Sequence, residues 1–502
     1  MPKNAPPPPS SDPAGGQAAL IWGCAVIAAI TAYRLVLLRF STADLFVDEL
    51  QYWQWGQALD WGYFSKPPLI GWVLRAVTDL AGSSEPFWIR MVGSLFHAAT
   101  ALILMLGARR FTSAPAAALV GVIYVSMPLI AVGSFLISTD TILLPFFALA
   151  VVLYMRLVEK PSVAVAICMG AAIGLGMMAK YAAIYFWMGA ALGALFVPAY
   201  RIRRLDFYVA VAAFAAVISP NVIWNLQNDL TTLAHTADNV DWVNRSGIAL
   251  HPDKAAEFFG AQFAVMGPVF FAALLWWAPK AMISANPGPR LRWLAWMCLP
   301  IIVLVAVQAL LSRAYANWAA TAYVAAVLLV VPVLWVRARR WLWIGLAFNL
   351  AITAAVPVAV TQATSWRLGA EDRLVLRRYV GRKALADRVL DSTAKAGQTV
   401  IVAENRDLLA ELFHAARDMD VAIWSEPPRG RPQHYYAQIY PYPWGLDDPF
   451  VFVRVGDRGL PCEPLSEQPI DQWVTGDDGF KSAPITMVLM PPDCFEQGQS
   501  NR

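Results

Sequence analysis

Apolar runs long enough to cross a bilayer, separated by short polar connections, leave this chain few ways to fold. They cover residues 17–38, 87–108, 115–134, 140–157, 162–179, 183–199, 207–224, 258–278, 291–311, 318–335 and 341–362. At about 20 residues per crossing this gives about eleven spans. No soluble core absorbs that much apolar helix. The chain is 58% hydrophobic and only 15% charged, against roughly 25% charged in a soluble domain. The expected fold is therefore mainly α and polytopic in a membrane. The first run is long, carries Arg34 and lacks a small-residue cleavage pattern, so it reads as a retained span and not a signal peptide. Residues 1–16, MPKNAPPPPSSDPAGG, cannot bury a core and are expected to be a disordered tail.

Flanking Lys and Arg set the expected orientation. Alternate connections carry Arg109 and Arg110; Arg156 and Lys160; Arg201, Arg203 and Arg204; Lys280, Arg290 and Arg292; and Arg337, Arg339 and Arg340. These are assigned to the cytoplasm. The remaining connections, including the loop 41–86, the Ser138–Asp140 turn, Lys180, residues 225–257 and Arg313 to Asn317, are assigned to the outer face. Residues 366–502 follow on the same face and have ordinary soluble composition. Helices near 379–394 and 407–416, with apolar runs at 399–403, 421–424, 450–455 and 485–490, point to a small extracytoplasmic α/β domain. The expectation is thus a multi-pass protein of the cytoplasmic (inner) membrane with its active site and C-terminal domain on the periplasmic side. A net charge of +4 over 502 residues argues for neither nucleic acid nor an acidic partner.

The five cysteines show no CxxC or metal-ligand spacing, and no structural metal site is expected. Cys462 and Cys494 both follow proline-rich turns (LPCEP, PPDCF) in the outward domain, so a disulfide between them is expected in that oxidising compartment. The triplet Asn244, Arg245, Ser246 forms a glycosylation-type sequon in an outward loop and carries little weight.

One outward stretch is unlike the rest: residues 44–68, DLFVDELQYWQWGQALDWGYFSKPP. Asp48, Tyr52, Trp55 and Leu59 fall on one face of a helix expected to run to Gly62, so a carboxylate shares its face with aromatic rings. Glu49 points about 100° away from Asp48, so the two cannot flank one bond as a glycosidase pair would. Asp48 is the better general base and Glu49 its support. The default for both is a pair of acids complementing a helix N-terminus. Lys66 follows Tyr63 and precedes Pro67 and Pro68 in a constrained loop that suits an anion, although a snorkelling lysine is the plain alternative. Asp140 follows Ser138 and Thr139 at a span's start, where capping is the default, and Lys180 could also snorkel. These separate defaults do not account for Asp44, Asp48, Glu49, Lys66, Asp140, Lys180 and Arg313 all falling on one side. A transporter or lipid-carrier flippase is the alternative, and it calls for charges deep in the spans and internal repeats. His97 and Gln308 are the main polar groups at depth, and no repeat is visible.

The strings VDELQYWQWGQALDWGYFSKPPLIGW, STDTILLPFF, GLGMMAKYAAIYF, SPNVIWNLQND and AYANWAATAY resemble bacterial members of glycosyltransferase family 39. This is the membrane GT-C superfamily of protein O-mannosyltransferases and the lipid A aminoarabinose transferase. The likeness covers roughly residues 18–365. It implies a GT-C catalytic domain at 17–365 and inverting transfer of a sugar from a polyprenyl-phosphate donor to a hydroxyl or phosphate acceptor. That acceptor is a glycolipid, polysaccharide or protein. By matching motifs, Asp48 is the implied catalytic acidic residue, and Tyr63 and Lys66 hold the carrier phosphate. Lys180, Arg313 and Tyr315 are taken with them as phosphate-side residues, and Tyr52 and Asp140 as pocket residues. Leu50 and Gln51 stand where the lipid A enzyme has a Thr-Arg pair, and Ser65 where relatives carry an acid or histidine. No cofactor is assigned, and a divalent metal is left open.

Overall fold

The computed structural model describes residues 13–240, 249–369, 373–475, 480 and 483–496. The sequon at Asn244 and most of the expected N-terminal tail lie outside them, and the first helix begins at Pro13. The chain divides into two compact units. One comprises residues 1–39, 60–70 and 90–358; the other comprises 40–59, 71–89 and 359–502. The second boundary falls near the expected residue 365. The loop expected to belong wholly to the membrane domain is split, with most of it clustering with the C-terminal part.

The helices run in order α1 (Pro13–Arg39), α2 (Val47–Gln57), α3 (Leu69–Ala81), α4 (Pro86–Ala108), α5 (Ala114–Ser126), α6 (Pro128–Gly133), α7 (Thr139–Glu159) and α8 (Val163–Ala179). After a 3₁₀ turn at Tyr181–Ile184 come α9 (Tyr185–Phe196), α10 (Arg204–Gln227), α11 (Thr231–Val240), α12 (Pro252–Met266), α13 (Pro268–Ile283), α14 (Gly288–Leu311), α15 (Ala322–Arg337) and α16 (Arg339–Thr361). Six of these, α1, α4, α7, α10, α14 and α16, are long and apolar enough to cross a membrane, and four shorter apolar stretches accompany them. The protein is a multi-pass membrane protein. Two expected spans are broken. The run 115–134 divides at Met127 before Pro128, whose missing N–H ends the preceding helix. The run 258–278 is a pair of helices bent by 111°. The bend falls at Gly267, φ +93°, ahead of Pro268; a Cβ there would strike Asn349.

Packing within this first unit follows small residues. In α8, Gly170 and Gly174 let α10 approach so closely that a Cβ at Gly170 would run into the Ala210 carbonyl. Only 11% of the apolar window of α10 is buried, against 67% for α7, so α7 is interior and α10 peripheral. Arg34, fully buried in α1, donates to Ser134 Oγ at 3.0 Å and the Val125 carbonyl at 2.8 Å.

In the second unit, short β1 (Arg367–Leu368) and β2 (Arg373–Leu374) precede α17 (Arg382–Lys395), β3 (Val400–Ala403), α18 (Arg406–Ala415), β4 (Ala422–Ser425), α19 (Tyr435–Ile439), β5 (Phe450–Val455), β6 (Asp471–Val474) and β7 (Pro484–Met490). The five-stranded sheet has order β4-β3-β5-β7-β6. β3 pairs in parallel with β4 and β5, and β7 is antiparallel to β5 and β6. The β3–α18–β4 crossover supplies the parallel pair. β6 has alternating half-buried residues and no apolar run, so its sequence gives no strand signal. Cys462 and Cys494 are bonded, beside a cluster of Val402, Tyr442, Phe450, Phe452, Val488 and Met490. The aromatic run from His434 to Trp444 serves local packing: Tyr435, Tyr436 and Tyr442 are buried, with Tyr436 stacked 5.2 Å from Phe413.

Candidate active site

In the second unit, α2 is shorter than expected. It ends at Gln57, so Leu59 lies past the helix and is exposed, and Gly62 is not its terminator. Within the helix the 100° rule holds and separates the two acids. Glu49 is buried, and its Oε2 accepts from the Phe46 backbone N–H at 2.8 Å, closing the first turn as a capping box does. Asp48 points the other way and keeps 46% of its side chain exposed. Tyr52 and Trp55 are buried, 5.2 Å apart, and Trp55 meets Tyr435 edge-on at 6.1 Å. The aromatic residues therefore fix the helix within its own unit.

Asp48 Oδ1 accepts from Arg406 Nη2 at 2.5 Å, while Arg406 Nε donates to Gln51 Oε1 at 2.9 Å. One guanidinium thus bridges positions i and i+3 of α2. Gln51, where the family resemblance places an arginine, instead accepts from Arg406 of a distant segment. Asn405 caps α18, its side chain accepting from the Asp407 and Leu408 N–H groups, and so fixes the backbone beside Arg406. No local pattern links residue 48 to residue 406, and sequence reasoning missed the arginine. Asp48 Oδ2 accepts no hydrogen bond among the described residues. A cavity of about 220 Å³ beside it is lined by Phe46, Val47, Asp48, Arg378, Arg382, Arg406, Asp407 and Phe480.

In the first unit, the segment 60–66 is a clamped turn. Tyr63 N–H donates to the Lys66 carbonyl at 3.2 Å, Thr232 Oγ1 to the Tyr63 carbonyl at 2.6 Å, and Asn221 Nδ2 to the Trp61 carbonyl at 2.6 Å. A Cβ on Gly62 would collide with the Trp224 ring. Burial pushes the Tyr63 hydroxyl up to about 12, so it stays protonated and can donate. Lys66 is half-buried on this turn.

Asp140 and Lys180 form a tight polar cluster in that unit. Lys180 Nζ lies 2.7 and 2.8 Å from the two Asp140 oxygens, and Asn317 Nδ2 donates to Oδ2 at 2.7 Å. The side chains are only 11% and 18% exposed. Tyr181 donates to Asn221 and accepts from Asn225, at 2.9 and 3.1 Å. Arg313 and Tyr315 are exposed, the guanidinium carbon 5.9 Å from the ring. Among the described residues there is no cluster of three or more His, Cys, Asp or Glu that could hold a metal. A larger cavity, about 670 Å³, is lined by Trp277, Lys280, Arg290, Leu329, Val333 and Arg337 among others, and contains none of the expected site residues.

These features describe a multi-pass helical membrane protein with a half-exposed carboxylate on α2 in its second unit and a lysine on a clamped turn in its first. The overall fold matches the crystal structures of ArnT from Cupriavidus metallidurans. The apo form has TM-score 0.65 and 16% identity, covering 94% of this chain and 98% of that one. The form bound to undecaprenyl phosphate has TM-score 0.66 and 16% identity, covering 93% and 98%. The dolichyl-phosphate-mannose-protein mannosyltransferase family matches over residues 65–224. Lipid A galacturonosyltransferase RgtD of Rhizobium johnstonii is 37% identical over 94% of this chain and 98% of that protein. Lipopolysaccharide core galacturonosyltransferase RgtA of the same organism is 27% identical over 41% of this chain and 42% of its own. The chain belongs to the bacterial GT-C glycosyltransferases of family 39 that include the lipid A glycosyltransferases. It is a glycosyltransferase.

Proposed function

We propose that this protein transfers a uronic acid of the galacturonic class from a polyprenyl-phosphate carrier to a lipid A-type glycolipid, with inversion, on the periplasmic face of the cytoplasmic membrane. The sugar and acceptor are supported by the 37% identity, over nearly the whole of both chains, with a lipid A galacturonosyltransferase. The orientation is supported by the alternation of basic connections along the sequence. The observation that carries the chemistry is the state of Asp48, a half-exposed carboxylate that lines a cavity and has one oxygen held by Arg406. A carboxylate fixed in this way accepts the proton that the acceptor hydroxyl loses as it attacks the anomeric carbon. Arg406 orients it.

Departure of polyprenyl phosphate builds negative charge on the carrier. Lys66, with the Tyr63 hydroxyl as a neutral donor, is assigned to stabilise it, because the turn is anchored before substrate arrives and needs little reorganisation. The exposed Arg313 and Tyr315 are assigned to the carrier's approach. Asp140 and Lys180, which satisfy one another, are assigned to hold the turn after α8 in shape. Glu49 is assigned to the helix cap, and Tyr52 supports α2.

The test is transfer in vitro. Purified enzyme, polyprenyl-phosphate galacturonic acid and lipid A should give lipid A heavier by one hexuronic acid residue by mass spectrometry. The reading fails if lipid A gains no sugar, or gains only a neutral one when both donors are offered.

A further inference from the structure

The cavity beside Asp48 holds more positive charge than that carboxylate requires. Three arginines, Arg378, Arg382 and Arg406, line it against two acids, Asp48 and Asp407. Arg406 is engaged by Asp48, and Arg382 Nη1 lies 3.6 Å from Asp407 Oδ2. Arg378 is exposed and forms no ion pair among the described residues. Arg382 is only 3% exposed, and its Nη2 finds no acceptor among the described residues. Arg382 Nε donates to Glu411 Oε1 at 3.0 Å. Burial raises the pKa of that carboxyl, against the pull of Arg382.

The remaining walls are aromatic. Phe46 and Phe480 have their ring centres 5.5 and 5.7 Å from the Arg382 guanidinium carbon. At about 220 Å³ the cavity is smaller than the roughly 300 to 1,000 Å³ of drug-sized ligand sites. It suits a single sugar ring. An excess of arginine, rings for the apolar face of a pyranose, and a general base at the rim together describe a site for one anionic monosaccharide.

We infer that this cavity is the specificity subsite for the donor sugar, in which Arg378 receives the carboxylate of a uronic acid beside the wall that Arg382 forms, while Asp48 borders its reacting end. The inference rests on the substrate class proposed above and adds the residues that read it. It favours the donor's carboxylate over an acceptor phosphate because the cavity adjoins the carboxylate that must work where the transferred ring is bound.

The test compares kcat/KM for polyprenyl-phosphate uronic acid and for the matching neutral hexose donor, using full-length wild-type enzyme, Arg378→Gln and Arg378→Lys. Arg378 is exposed, so both variants should fold. The wild type should favour the uronate. Arg378→Gln should lower the uronate-to-hexose ratio roughly 10- to 100-fold, as expected for loss of one charge-assisted contact, mainly through KM. Arg378→Lys should restore part of it, since it keeps the charge without the planar fork. An unchanged ratio overturns the inference. So does a loss shared by both donors that vanishes when the lipid acceptor is stripped of its phosphates, an outcome that assigns the cavity to the acceptor. A wild-type enzyme that refuses the uronate altogether removes the substrate class itself and is seen before any variant is made.

Discussion

Asp48 and Asp140 each lie in the first turn of a helix and each face a cation, yet the protein treats them differently. Asp140, in the first unit, has both oxygens occupied, by Lys180 twice and by Asn317, and little of it meets solvent. Asp48, in the second, gives one oxygen to Arg406, stays half exposed and lines a cavity. A carboxylate whose lone pairs are all engaged holds segments together. One with an oxygen to spare and a fixed orientation can take a proton. The difference lies in the number and placement of donors around each acid, since residue type and helix position are the same.

The sharpest way to break the contrast is to neutralise each acid isosterically. Asp48→Asn should lower turnover by about 10² to 10⁴-fold, the usual scale for losing a general base. Its thermal unfolding should stay close to wild type, because the side chain is half exposed. A folded Asp48→Asn enzyme transferring sugar at the normal rate would take Asp48 out of the mechanism.

Asp140→Asn should act mainly on stability. It strands Lys180 in a mostly buried setting, and breaking such a pair from one side costs about 3 to 5 kcal/mol. The double variant Asp140→Leu with Lys180→Met should recover much of that loss in thermal unfolding, because both charges leave together. If Asp140→Asn instead melts like wild type while losing activity, the two acids are more alike than their surroundings suggest.

A smaller effect should come from the surroundings of α2. Trp53 meets the His414 ring edge-on at 4.7 Å, and His414 Nε2 lies 3.0 Å from the Ser84 carbonyl. Burial pushes His414 down to about 4. The unfolded chain therefore binds a proton near pH 6.5 that the fold does not. The resulting stability is present above that pH and is lost as pH falls towards 4, about 2 kcal/mol by about pH 5. His414→Gln should flatten this acid limb in unfolding measured across pH. An equally steep limb in the variant would show that other groups govern it.

Much of this was legible along the chain. Apolar runs mark helices because a bilayer needs about 20 such residues, and most expected spans match helices within a few residues. Short apolar runs gave four of the five strands of the large sheet. Residue order on a helix separated Asp48 from Glu49, since a 100° step is a property of the backbone. The breaks were less legible. Pro128 and Gly267 interrupt runs whose average hydrophobicity is unaffected, so a window of composition passes over them. β6 escaped because its residues alternate without an apolar excess.

By itself, then, the sequence determined the class: a membrane helical enzyme with a soluble C-terminal domain, an acid-aromatic segment and a cation on a proline-bounded turn. These follow from local periodicity and composition, which act over a few residues. The tertiary structure alone decided which charges meet. Arg406 is 358 residues from Asp48 and Asn317 is 177 residues from Asp140. Nothing local encodes either pairing. Whether a carboxylate becomes a strut or a base depends on how many donors packing brings to it, and packing joins residues without regard to their separation along the chain.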